Sequence, residues 1–235
     1  MSTSDILPQH IGFVVDGNRR WAKARDLPTS DGHKRGYEVL REMAYIAQDR
    51  NIKYISAFIF STENWKRSKE EVDYLMDLFL WSFAHDMKKL IKDGFKIVFV
   101  GRRNGLRAKI RTAIEKTEKD SAQNTGTTLA LCFNYGGQAE IADAARVIAE
   151  QVAANKIAPD KIDEETFAQY IYQPEVPPID MLVRSSGEMR LSGFMLWRAA
   201  YAELMWIDKN WPDMTAQDFD NIIAEYNRRN RRFGQ

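Results

Sequence analysis

A run of apolar, largely β-branched residues cut off by a polar turn constrains this chain more than any other feature. Ile11, Phe13, Val14 and Val15 are followed at once by Asp16-Gly17-Asn18, and then by Arg19 and Arg20 at the head of a helix-compatible stretch. A short, nearly continuous apolar run reads as a strand buried on both faces, as in parallel sheets covered by helices. A strand that ends in a Gly-containing turn before a helix aims backbone N–H groups at an anion. Here the turn also carries a carboxylate (Asp16), an amide (Asn18) and two guanidiniums. A carboxylate alone repels a phosphate, so its place among phosphate donors points to a divalent cation bridging the two. Taken by themselves, the three turn residues read as an ordinary turn, and the remainder of the chain must decide.

The same strand-then-helix pattern recurs. Gly32 to Arg50 carries Tyr37, Leu40, Ala44 and Ala47 at amphipathic spacing, with His33 near its start. A strand at Tyr54–Phe60 leads into Ser61 to Arg67. Ser68 with Glu71 forms a capping box that opens one long helix to about Asp93, stopped by Gly94. Such a helix spans roughly 39 Å, and its stripe of Leu, Met and Phe suits either ordinary core or one wall of an extended apolar cavity. Further strands are expected at 96–100, 128–133, 180–184 and 203–207, and helices at 104–120, 138–154, 161–172 and 216–232. Strands alternating with helices give an α/β fold: six strands in a mostly parallel sheet, surrounded by helices. With no internal repeat or linker, residues 1–235 are expected to form one domain.

Composition enters chiefly by exclusion. Lys+Arg number 34 against 33 Asp+Glu, so no global field favours nucleic acid. The single cysteine, Cys132, fits a reducing compartment. The opening MSTSDILPQH lacks the basic-then-apolar layout of a signal peptide, and no apolar run reaches the length of a membrane span. A soluble, cytoplasmic protein is expected. In parallel sheets ligands gather beyond the carboxyl ends of the strands, and the loops there supply Arg20, Arg67, Arg184 and Arg190. Guanidinium forks match phosphate oxygens bidentately. So many arginines beside one metal-capable carboxylate suit two diphosphate-bearing substrates better than one.

The strings HIGFVVDGNRRWAK, FSTENWKR, NYGG and RSSGEMRLSGFMLWRAAYAELMWIDKNWPD resemble the signatures of the cis-prenyltransferases, the undecaprenyl diphosphate synthase family, in that family's order. The resemblance runs from His10 to the closing RRFG. It implies a homodimer with an apolar tunnel, which condenses isopentenyl diphosphate with an allylic diphosphate such as farnesyl diphosphate and passes its product to the membrane. Carried over motif by motif, Asp16 would hold Mg²⁺ against a diphosphate, with Glu203 supporting the metal. Gly17, Asn18, Arg19, Arg20 and Trp21 would surround the allylic diphosphate, with His33 and Arg67 alongside. Phe60, Ser61, Asn64 and Trp65 would position the reacting groups, Asn64 among the catalytic residues. Arg184, Arg190 and Ser192 would bind isopentenyl diphosphate, and Arg232 in the terminal Arg232-Phe233-Gly234 would reach a neighbouring subunit.

This chain also departs from the family pattern. Arg19 stands where the family has the second glycine of DGNGRW, and Thr29 where it often has an arginine that Arg19 or Arg25 would replace. Met189 takes the place of a histidine, and Gln138 that of an arginine. Ile59 replaces the usual alanine before FS-ENW. The expected product is a long chain of the undecaprenyl type, with a short or medium chain as the alternative if Ile59 narrows the tunnel. A non-catalytic accessory subunit would have lost Asp16 and the arginines. A phosphotransferase would carry a Walker string, which is absent.

Overall fold

The structure, a computed structural model, describes residues 7–229. The chain runs β1 (His10–Val14), α1 (Asn18–Lys23), α2 (Thr29–Asp49), β2 (Tyr54–Ser61), α3 (Lys69–His85), α4 (Met87–Lys92), β3 (Lys96–Val100), α5 (Ala108–Ser121) and β4 (Thr128–Tyr135). It continues through α6 (Gly137–Ala153), α7 (Glu164–Ala168), β5 (Met181–Arg184), β6 (Glu203–Trp206) and α8 (Ala216–Arg228). The strands form one six-stranded sheet in the order β3-β4-β2-β1-β5-β6, and every pairing is parallel.

Period-two alternation sorts the strands onto two apolar faces. Ile11 and Phe13, Ile97 and Phe99, and Leu129, Leu131 and Phe133 face the larger core under α2, α3 and α8. Val14, Val98, Val100, Ala130 and Cys132 face a second core with Ile179, Leu182 and Phe194, and Tyr135 joins them because Asn134, at φ 50°, breaks the alternation after Phe133. On that second side Glu140 and Arg198 form a fully buried ion pair at 2.9 Å. Tyr135 donates its hydroxyl to Glu140 and Arg198 donates to the Val176 carbonyl, so the buried charges are bonded on several sides.

The element boundaries differ from the sequence expectation where side chains intervene. The long helix is broken at Asp86, whose carboxylate turns to Arg41 Nη1 (2.6 Å) and the Tyr37 hydroxyl (2.8 Å). The expected helix at 161–172 is only a 3₁₀ turn and α7, because the extended Asp163 caps a new start by accepting from the Thr166 N–H. Gly105, in the left-handed region at φ 82°, delays α5 to Ala108. α8 stops at Arg228, where Arg229 turns extended and reaches back to Glu225 and Glu203.

Among the described residues the expected apolar tunnel is seen only as separate small spaces. Between α2, α3 and β2 lie a 60 Å³ space lined by Leu40, Ile59, Leu75 and Phe79 and a deeper 30 Å³ space reaching Phe83 and Met87. Each has room for only a few waters. Large side chains from both helices fill the rest.

Candidate active site

β1 sits in the middle of the sheet between β2 and β5, and the turn that follows it is fixed by its neighbours. Ser185, just past β5, accepts from the Asp16 N–H (3.0 Å) and donates its hydroxyl to the Asp16 carbonyl (2.8 Å). The same carbonyl accepts from the Trp211 N–H. Gly17 follows at φ 101°, and a Cβ there would lie 2.4 Å from Asn210 Oδ1 and 2.9 Å from Ser186 Oγ. Both conformation and space therefore require glycine. α1 begins one residue later and packs on α2, where a Cβ on Gly32 would meet the Asn18 carbonyl at 2.1 Å.

The result is a cavity of about 820 Å³ beyond the carboxyl end of β1, with Asp16, Asn18, Arg20, His33, Arg67 and Arg190 in its wall. Arg184 Nη2 donates to Asp16 Oδ2 at 2.9 Å, and Arg20 approaches the same oxygen at 3.4 Å. Burial pushes the Asp16 carboxyl up, but the Arg184 hydrogen bond, the Gly17 N–H and the charges of Arg184 and Arg20 outweigh it and hold the pKa below the ordinary value. Arg184 is buried, and its Nη1 donates to the Arg190 carbonyl and to Ser192 Oγ. Arg184 Nε and Asn18 Oδ1 are buried without a hydrogen-bond partner, which in a native site calls for an explanation such as a ligand.

Carboxylates that sequence reasoning passed over complete the site. Glu188 accepts from Arg20 and Arg190, one on each oxygen. Glu71 accepts from Arg67 Nη1 at 2.9 Å, lies 3.1 Å from His33 Nε2, and has Arg19 4.0 Å away. Burial lowers the His33 pKa, and Glu71 offsets part of that. The Glu71 contact was signalled by its i,i+4 spacing from Arg67, although the sequence pattern marks it first as a capping residue.

Other expected site residues stand elsewhere. Trp21 Nε1 donates to Asp213 Oδ1 at 2.7 Å and its ring carries Arg25. Both therefore anchor the turn at Trp211–Asp213, and Arg25 does not substitute at Thr29. Phe60 is fully buried against Trp65 and Phe133. Asn64 and Ser61 cap each other around the 3₁₀ turn Thr62–Lys66, and Trp65 Nε1 donates to Asn134. Ser192, at φ 51°, reaches the site only through Arg184.

Glu203 opens β6 opposite Met181, at the amino end of the sheet, while Asp16 lies beyond its carboxyl end. Its carboxylate pairs with Arg229 at 2.9 Å, so within this chain Glu203 does not join Asp16 around a metal. Arg232 lies outside the described residues. Arg19 sits inside α1 rather than in the turn, so the glycine it replaces is not needed for conformation. Met189 is exposed.

Known proteins match this arrangement over almost its whole length. The family described as "Putative undecaprenyl diphosphate synthase" matches residues 14–234. The isoprenyl transferase of Thermotoga maritima is 46% identical over 228 residues, 97% of each chain. The chain belongs to the cis-prenyltransferase family. Membership of the cis-prenyltransferase family accounts for the parallel sheet and makes the chain a prenyl transferase. The trans,polycis-polyprenyl diphosphate synthase ((2Z,6E)-farnesyl diphosphate specific) of Thermobifida fusca is 41% identical over 98% of this chain and 82% of its own. A crystal structure of lavandulyl diphosphate synthase from Lavandula x intermedia, in complex with dimethylallyl diphosphate, superposes at a TM-score of 0.95. It is 32% identical and covers 99% of this chain and 100% of its own.

Proposed function

We propose that this cis-prenyltransferase joins isopentenyl diphosphate to an allylic diphosphate with Mg²⁺ held against Asp16. The observation that carries the reading is Asp16 on the wall of the 820 Å³ cavity, with Arg184 and Arg20 on its carboxylate holding its pKa below the ordinary value. Among the described residues no group of three or more His, Cys, Asp or Glu could hold a metal. A lone carboxylate supplemented by substrate phosphates and water is, however, the habit of Mg²⁺, so Asp16 fits it. The chemistry Mg²⁺ supplies when bound is charge neutralisation at the departing diphosphate.

The chain's own residues do the rest. Arg20, Asn18, His33 and Arg67 cradle the allylic diphosphate. Arg190, ordered through its carbonyl by Arg184, binds isopentenyl diphosphate. Cleavage of the allylic C–O bond places negative charge on the leaving group, where preorganised guanidiniums stabilise it as it forms. The dimethylallyl diphosphate in the Lavandula relative supports an allylic diphosphate here. Spaces of only 60 and 30 Å³ beside Ile59 support a product shorter than an undecaprenyl chain, and the family's description supports the longer one. Pairing of two copies belongs to the same reading, supported by the exposed Tyr201 and Leu204 beside the open edge of β6. So does delivery of the product to the membrane.

The test is incubation with radiolabelled isopentenyl diphosphate, Mg²⁺ and dimethylallyl, geranyl or farnesyl diphosphate, with products sized by chromatography. Label should enter a prenyl product, EDTA should abolish it, and Asp16→Ala should lower turnover by about a hundredfold or more. No incorporation from any of the three primers would overturn the reading.

A further inference from the structure

The cavity that holds the arginines continues inward as an interrupted apolar path. Val15, Asn18 and His33 border both the 820 Å³ cavity and the 60 Å³ space behind it. Tyr37, Leu40, Ile59 and Phe79 in turn separate that space from the 30 Å³ one deeper in. Phe83 and Met87 then stand between the deep space and an outer groove of about 490 Å³ bordered by α4 and α5.

Leu40, Ile59 and Phe79 have no polar atoms on their side chains, so only packing holds them in place. Tyr37 differs from them. Its hydroxyl donates to Asp86 Oδ2 at 2.8 Å, and the other oxygen of that carboxylate accepts from Arg41 Nη1 at 2.6 Å, one turn further along α2. The Asp86 carboxylate is largely buried. The Tyr37 ring stands edge-on to Trp81 at 6.2 Å. A hydrogen bond to an ionised partner is roughly twice as strong as a neutral one, so turning Tyr37 aside is harder than turning any of its three apolar neighbours.

We propose that Tyr37, tied through its hydroxyl to Asp86 and Arg41, is the residue that stops the growing hydrocarbon and so limits product length. The inference rests on the prenyl-elongation reading above and goes beyond it by naming the stop. Ile59 narrows the same wall from the sheet side, but a single isoleucine can change rotamer, whereas the tyrosine is fixed at both ends.

The experiment compares products of the wild-type chain, Tyr37→Phe and Tyr37→Ala, made from farnesyl diphosphate, radiolabelled isopentenyl diphosphate and Mg²⁺. Circular dichroism and thermal melting establish that each variant is folded. Tyr37→Ala joins the two inner spaces, and its longest product should exceed the wild-type one by at least one isoprene unit. Tyr37→Phe keeps the ring but loses the tie, and should shift the distribution the same way by a smaller step; because it leaves Asp86 paired with Arg41, it tests the proposal even if Tyr37→Ala does not fold. A wild-type ladder from both variants would overturn the proposal and leave the elongation reading standing. Lengthening by Tyr37→Ala without any shift in Tyr37→Phe would overturn the role of the tie. If the wild-type chain incorporates no label from any allylic primer, the elongation reading fails, and the proposal with it.

Discussion

Burial holds one histidine of this protein in a single protonation state. His10, fully buried at the start of β1, lies 2.9 Å from the Pro177 carbonyl through Nδ1 and 2.7 Å from Ser56 Oγ through Nε2. A carbonyl can only accept, so Nδ1 carries the proton and Nε2 accepts from the serine. Burial drives the His10 pKa down to about 4, against a smaller upward pull from the proline carbonyls. The neutral form is thus the folded form. Between pH 6.5 and 4 the unfolded chain takes up a proton that the folded chain refuses, so stability falls as the pH is lowered through that window. From pH 7 to pH 5 this histidine should cost the wild-type chain about 2 kcal/mol. Urea unfolding at the two pH values, repeated on His10→Gln, should show that much less pH dependence in the variant. Equal slopes would refute the assignment.

At the scale of elements, the site depends on how closely α1 lies on α2. A methyl group on Gly32 would sit 2.1 Å from the backbone carbonyl of Asn18, and backbone cannot rotate away as a side chain can. Gly32→Ala should therefore push α1 outward, lowering stability by about 1–3 kcal/mol and turnover by at least tenfold, because Asp16 and Arg20 flank the displaced segment. Denaturant titration beside the radiolabel assay measures both, and a fully active variant would sink this account. The strands and most helices were legible in the sequence because period-two and amphipathic spacing survive into the fold. Asp16, Arg20 and Arg184 were legible because they sit where apolar runs end. The direction of a side chain within a motif was not: Trp21 turns to Asp213 and Asn64 back to Ser61, contacts set by packing. Glu203 stands apart from Asp16 within the chain because it opens its strand, while Asp16 lies beyond the strands' far end. The break at Asp86 depends on Arg41 and Tyr37 of another helix, and nothing local to α3 announces it.

For the molecule as a whole, net charge is a poor guide to where anions bind. The formal charge is only +1, yet the cavity wall holds Arg19, Arg20, Lys23, Arg67 and Arg190. Asp16, Glu71 and Glu188 already pair with cations there. Pyrophosphate with Mg²⁺ should therefore bind the folded chain selectively. At a hundred times its dissociation constant it should add about 2.7 kcal/mol, lifting Tm by roughly 5–10 °C for a chain of this size. Thermal melts should show that rise in the wild-type chain and a much smaller one in Asp16→Ala; equal rises would place the anion elsewhere.

The hydrogen bond between Asp16 and Arg184 joins positions 168 apart in sequence, and β1 acquires its second neighbour only when β5 arrives. During synthesis, then, the central strand waits with one edge open until about four-fifths of the chain has emerged, and contacts of such long range are slow to close. The two halves of the arginine-lined cavity meet late. A nascent or truncated chain ending before β5 should thus be an aggregation-prone intermediate rather than a weakened enzyme, with activity appearing all at once when the last strands dock.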